Sequence, residues 1–220
     1  MTTAKNKKLQ FTFQEKITLE RSRICRDLHD EVGSTLNSIS VYSEIARRQI
    51  QHTSPQSASI LENIGESARQ LIESMNDIVW AINPENDQFE YITQRMRLFA
   101  AQLMMTQDIA LHFEADARLN AVVLSIEKRK NFYLLYKEAV NNIYKHAHCQ
   151  TLSINIQQQN GYIEMQITDD GCGFDCQTIH NGNGLKTMQH RANELNGTLT
   201  IHSEIGKGTI LGLCFPLTEA

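Results

Sequence analysis

Asp169-Asp170-Gly171-Cys172-Gly173 follows an alternating stretch that runs to Thr168, and the reading of this short run decides the fold. A single pair of glycines is most often an ordinary turn, because glycine supplies the positive φ that a reversing strand needs. Two more glycine loops lie downstream, Gly182-Asn183-Gly184-Leu185 and Gly206-Lys207-Gly208-Thr209. Their order changes the odds. The first follows a strand and offers a carboxylate. The second opens a helix, whose free amide N–H groups and positive dipole end attract anions. The third offers a hydroxyl ahead of the last strand.

Upstream, Lys137-Glu138-Ala139-Val140-Asn141-Asn142-Ile143-Tyr144-Lys145-His146 closes a helical pattern over 126–146. Glu138 and Asn142 are four residues apart and Lys145 is three further on, so the three share one face. An acceptor oxygen beside an ammonium suits Mg2+ and phosphate, although the segment taken alone reads slightly better as a solvated polar face. Leu152, Ile154 and Ile156 then alternate with polar residues. Gln159-Asn160-Gly161 turns the chain into a second strand over 162–168, since Asn-Gly accepts the positive φ of a tight hairpin. A helix over 185–195 and strands over 198–203 and 209–215 complete an α/β layer, with another helix expected over 90–106.

The N-terminal part has a different texture. Ile24, Leu28, Val32, Leu36 and Ile39, spaced by 4, 4, 4 and 3, describe one long amphipathic helix over about 15–51. Ser54 is placed to cap a second helix and Pro55 to open it. Along that helix Leu61, Ile64, Ala68, Leu71, Met75, Ile78 and Ile82 alternate steps of three and four, the seam of a coiled-coil-like bundle. Two helices alone cannot bury both stripes, so the hairpin is predicted to pair with a second copy as a four-helix bundle. Asn83-Pro84-Glu85-Asn86-Asp87 ends the second helix. The expected organisation is a lead-in over 1–14, a helical hairpin over 15–83, a linker over 84–89 and an α/β domain over 90–220. The fold class is therefore α+β.

Composition bounds what this chain can be. The hydrophobic share is 41% with eleven Gly and three Pro, enough to bury a core. No apolar run approaches the ~18 residues that span a bilayer, and residues 1–10 lack a signal-peptide core. The net charge of −4 argues against a general nucleic-acid binder. Five cysteines, odd in number and without CxxC spacing, read as reduced thiols in the cytoplasm rather than as a disulfide framework or zinc site. His146 and His148 flank Ala147, but no second Cys/His cluster completes a metal site. A soluble, cytoplasmic chain is expected. Lys5, Lys7 and Lys8, followed by a helical lead-in, also suit a position just inside a membrane.

The four elements of the second domain, taken in order, resemble the N box, the two glycine boxes and the terminal glycine-threonine motif of the GHKL (Bergerat) nucleotide-binding fold. That fold is shared by histidine kinases, heat-shock chaperone ATPases, type II topoisomerases and mismatch-repair ATPases. The resemblance spans about 89–217. It implies ATP as cosubstrate, with Asn142 coordinating Mg2+, Lys145 touching phosphate and Asp169 accepting from the adenine amino group. It also implies that Gly171 and Gly173 admit the base, that Gly182 and Gly184 frame the phosphates and that Thr209 completes the adenine pocket. His146 and Leu185 join the nucleotide-binding set. Glu138 is implied as either a second-shell metal residue or a water activator, and 174–181 as a lid.

Glu20-Arg21-Ser22-Arg23-Ile24-Cys25-Arg26-Asp27-Leu28-His29-Asp30-Glu31-Val32-Gly33-Ser34 looks like the H box of nitrate-sensor and desaturase-sensor histidine kinases, whose dimerization domain is called HisKA_3. Met75-Asn76-Asp77-Ile78-Val79-Trp80-Ala81-Ile82-Asn83-Pro84 is similar to the end of that domain. His29 is turned ~100° from Leu28 and so lies at the bundle's flank. An adjacent carboxylate, Asp30, can hold the Nδ1 proton and leave Nε2 nucleophilic. The resemblance thus implies the kinase core of a two-component sensor: a homodimer that phosphorylates His29 and passes the phosphoryl group to an aspartate in a response-regulator receiver domain. The rivals are a GHKL ATPase or protein-serine kinase, and a nucleotide-dependent dimeric scaffold. One departure stands out. The subclass often places Gln four residues after the Asp, where it is implicated in dephosphorylating the regulator; here Asp30 is followed by Ser34.

Overall fold

The structure, a computed structural model, describes residues 2–175 and 183–217, with side chains from residue 15 onward and, after 175, from 184. It divides into two compact units, Met1–Asn86 and Asp87–Ala220.

In the first unit α1 (Thr2–Asp27) passes through a π-helical turn at Leu28–Gly33 into α2 (Ser34–Ile50). The expected helix is thus continuous but not uniformly α. Each four-residue step from Ile24 to Leu36 overshoots a straight α-helix by about 40°. The wider π turn takes up that excess. Hydroxyls cover carbonyls where the regular ladder is interrupted: Ser34 Oγ donates to Asp30 O and, at 3.2 Å, to Glu31 O, and Thr35 Oγ1 donates to Glu31 O at 2.8 Å.

The second helix, α3 (Pro55–Ile82), begins at Pro55 as expected, but Ser54 makes no side-chain cap to the backbone. Its hydroxyl donates instead to Ser57 Oγ at 2.9 Å. The hairpin closes through small residues: Ser40 and Ser43 on α2 and Ala58, Gly65 and Ala68 on α3 are buried. A Cβ on Gly65 would lie 3.6 Å from Ser43 Cβ and 3.7 Å from Ser40 O, which measures how closely the helices approach. Arg21 Nε donates to Ile82 O at 2.8 Å and so ties the start of the hairpin to its end.

In the second unit α4 (Phe89–Met105), β1 (Ala110–Ala115), α5 (Ile126–His146), β2 (Thr151–Gln159), β3 (Tyr162–Asp169), α6 (Asn183–Glu194), β4 (Thr198–Ser203) and β5 (Thr209–Pro216) build helices against one five-stranded sheet of order β1-β2-β3-β5-β4. β1 pairs β2 in parallel and the other pairs are antiparallel. Asn160 and Gly161 take φ of 51° and 82°, the geometry of the expected β2–β3 hairpin. Alternation puts one residue in two into the core, so Ile154 faces Ile167 and Ile167 faces Leu211 across the strands, all buried. Phe132 joins the helices to the sheet, with ring centroids 5.7 Å from Phe89 and 5.2 Å from Phe215.

Two features were not expected. β1 is a sheet edge whose one buried side chain is Phe113, too sparse a pattern to announce a strand. Arg129 is fully buried and pairs with Asp87 at 2.7 Å, while Phe89 is fully buried as well, so residues at the end of the expected linker over 84–89 pack within the second unit.

Candidate nucleotide site and phosphoacceptor

β3 delivers Asp169 to the floor of a cavity of about 330 Å3, where β5 sets Thr209 directly opposite it. The walls are apolar: Ile143 of α5, Ile167 of β3, Met188 of α6, Ile201 of β4 and Leu211 of β5. Asp169 is 3% exposed. Its Oδ1 accepts from the amide of Gly171 at 2.9 Å, whereas its buried Oδ2 has no partner among the described residues. The Thr209 hydroxyl is near but is engaged with Ser203 Oγ at 3.0 Å. Burial pushes the Asp169 carboxyl above the ordinary Asp value, against the Gly171 amide, which pulls it down. Its neighbour is the opposite case. The Thr151 and Gln150 amides each donate to Asp170 Oδ1 at 2.8 Å and hold that carboxyl below the ordinary value. One aspartate ties the strand end down, and the other offers an idle acceptor to the cavity.

Close backbone approach explains the first glycine pair. A Cβ on Gly171 would strike the carbonyl of Ala147, and Gly173, at φ +57°, would strike that of Glu204. At the other end of the cavity Gly184 lies against the Glu138 carboxylate, and a Cβ there would come 3.4 Å from Asn142 Nδ2.

Of the residues singled out in the sequence, Asn142, His146, Asp169, Gly173, Gly184, Leu185 and Thr209 line this cavity. Gly171 adjoins it through Asp169, and Glu138 through Gly184. Lys145 is exposed and does not line the cavity, and Gly182, with most of the expected lid, lies outside the described residues. Sequence reasoning missed the apolar walls, Cys172 and Ser203. Ser203 Oγ accepts from the Phe174 amide at 2.8 Å and donates to Gly208 O at 3.1 Å, which joins two of the glycine loops. Alternation along β4 was the available signal for it.

In the other unit His29 and Asp30 stand on the π turn, with side chains 71% and 76% exposed. His29 Nδ1 lies 3.2 Å from Asp30 Oδ1. A pair so exposed contributes little to stability; its effect is on which ring nitrogen carries the proton.

Residues 20–87 match the family model described as histidine kinase, and residues 127–219 match the model of histidine kinase-, DNA gyrase B- and HSP90-like ATPases. The chain belongs to the sensor histidine kinases. It is 31% identical over 198 residues to the sensor histidine kinase DesK of Bacillus subtilis, which covers 90% of this chain and 51% of that relative. Against the nitrate/nitrite sensor protein NarQ of Escherichia coli identity is 24%, over 94% of this chain and 37% of the relative. The chain thus spans about half or less of the length of these curated relatives. Among solved structures, the histidine kinase domain of the Erythrobacter litoralis blue-light activated kinase shares the fold at a TM-score of 0.54 and 16% identity, covering 84% of this chain and 94% of that one. No helix among the described residues is long and apolar enough to cross a membrane.

Proposed function

We propose that the protein binds Mg-ATP in the cavity of its second unit, transfers the γ-phosphoryl group to His29 Nε2, and passes it to an aspartate of a response regulator. The observation that carries the nucleotide reading is Asp169 Oδ2, a buried acceptor without a partner at the floor of an apolar cavity. A flat base whose exocyclic amine donates one hydrogen bond supplies what this floor lacks, and the aliphatic walls supply its stacking surface. Asn142 and Glu138 lie beside Gly184 at the far end, where the phosphates would sit against the first turn of α6. The described residues hold no group of three or more His, Cys, Asp or Glu able to cage a metal. A Mg2+ held by the Asn142 oxygen, phosphates and water suits such a donor set. When bound, the ion neutralises charge on the transferring group. Glu138 orders its water, and Lys145 at the exposed end of α5 reaches toward phosphate.

At the acceptor, the Nδ1–H of His29 donates to Asp30, which leaves the lone pair on Nε2 facing solvent and able to attack in line. Two copies of the hairpin form the bundle on which the regulator docks. Incubation with γ-phosphate-labelled ATP tests the whole reading. Label that is lost in acid and kept in alkali is expected for phosphohistidine; acid-stable label, or release of free phosphate alone, would overturn it in favour of a serine kinase or an ATPase.

A further inference from the structure

Cys172 occupies a stretch of backbone held on both sides. Its amide donates to Ala147 O and its carbonyl accepts from Gly206, both at 2.7 Å, and the flanking glycines are pressed against the backbones of Ala147 and Glu204. The thiol is therefore fixed at the cavity wall, with only χ1 to turn, and donates to His146 O at 3.2 Å. Among the described cysteines it is the exposed one: Cys25 and Cys149 are buried and Cys214 is half-buried. Burial pushes the thiols of those three above their ordinary value, which keeps them protonated and unreactive. The same cavity carries an independent sign that a ligand belongs there, the unpartnered Asp169 Oδ2.

We propose that Cys172 is a modification site of the nucleotide cavity, at which low-molecular-weight disulfides attach a thiol and so shut out nucleotide. The inference rests on the nucleotide reading given above. The Cys172 thiol loses its proton to water and its thiolate attacks one sulfur of RS–SR. A Cys172–S–S–R bond forms, the original S–S bond breaks, and RS− leaves and takes up a proton. Cys172 is oxidised and one RS half is reduced, so the step is balanced and is reversed by a dithiol. Because adduct and nucleotide compete for one space, each must oppose the other equally. ATP protects the thiol, and the adduct lowers ATP binding. An oxidised thiol pool would then silence the kinase at its substrate site.

The test uses the full chain, glutathione disulfide as probe and a fluorescent ATP analogue as reporter, in a Cys176→Ser background. Treated protein is expected to lose affinity at least about tenfold relative to its own untreated sample, to recover with dithiothreitol, and to show the adduct on the Cys172 peptide by mass spectrometry. Bound ATP should slow formation of that adduct. Adding Cys172→Ser should leave treated and untreated samples equal. Absence of an adduct at Cys172, an adduct with unchanged affinity, or equal loss in the Cys172→Ser variant overturns the proposal. Failure of the untreated protein to bind nucleotide would instead bring down the nucleotide reading itself.

Discussion

The two units leave opposite things unfinished. The α/β unit closes a core around large side chains, Phe89, Phe132, Leu152 and Phe215 among them, although Leu98, Met105 and Ile205 stay exposed, and what its cavity leaves unmet is polar: one carboxylate oxygen without a donor. The hairpin does the reverse. It buries Ser40, Ser43, Ala58 and Ala68 and leaves Ile24, Val32, Ile39, Ile64, Leu71 and Ile78 between 40% and 56% exposed. These are half of the seam positions picked out by spacing; Ala68 is buried within the hairpin and the other five are half-buried, so the single chain covers the stripe expected to form a core only in part. A unit short of one hydrogen-bond donor asks for a small ligand, whereas a unit short of an apolar surface asks for another helix pair.

The strongest test of this division is His29→Gln. Labelling from ATP should fall to background while nucleotide affinity stays within about twofold, because acceptor and cavity lie in different units. Near-normal labelling would break the assignment outright. Next is the bundle. Ile64→Asp with Leu71→Asp places charges on the exposed stripe, and each buried Ile or Leu is worth about 1.5–3 kcal/mol, counted twice by two-fold symmetry. Dimer affinity should drop by at least about a hundredfold in light scattering. A wild-type monomer at micromolar concentration would show the stripe to be covered in another way, or not at all.

Asp169→Asn sharpens the other side. Losing a charged acceptor for the base should cost about 1.5–3 kcal/mol of nucleotide binding, roughly ten- to a hundredfold. Stability should move the other way. The folded carboxyl titrates above its unfolded value, so Asp169 favours folding as the acid, fully so below the unfolded pKa, and loses that contribution as pH rises through the folded one. Above the folded pKa the wild type carries a buried charge that Asn removes. Thermal melts of the ligand-free variant should be equal or higher at pH 7, with the gain shrinking to nothing below about pH 4. A lower melt at pH 7 would mean that the carboxylate is a structural partner, not an idle one.

The smallest expected effect concerns Ser34. Its hydroxyl already donates to Asp30 O and Glu31 O, so it has no free donor with which to orient a water beside a phosphoaspartate. Ser34→Gln supplies a longer amide and should raise regulator dephosphorylation a few-fold while leaving His29 labelling in place. Rapid dephosphorylation by the wild type, or no gain in the variant, would remove any role for this position.

Legibility followed the range of the interactions. The bounds of α5, the Asn160-Gly161 turn and the core alternation of β2 and β3 are written in neighbouring residues and were read correctly. β1 was invisible because its place depends on a parallel partner some forty residues away, Ala110 with Thr151, and one buried side chain. The π turn is half visible in the sequence: three steps of four in a row do not fit a straight α-helix, and that drift lies in the spacing itself. At the site, the glycines and Asp169 could be read, while the walls of the cavity could not. Ile143, Ile201 and Met188 are ordinary core residues until the sheet brings them around one space.

The buried pair of Arg129 and Asp87 has a practical bearing on where the molecule can be cut. The family model for the ATP-binding region begins at residue 127, yet a fragment begun there, or even at Phe89, would keep the guanidinium and discard the carboxylate 2.7 Å from it. Parting a fully buried ion pair costs about 3–5 kcal/mol, and this pair, with its guanidinium buried and its carboxylate half-buried, costs some part of that out of the roughly 5–15 kcal/mol that keeps a domain folded. The shortest piece that keeps this ion pair starts at Asp87, forty residues upstream of where the family model begins.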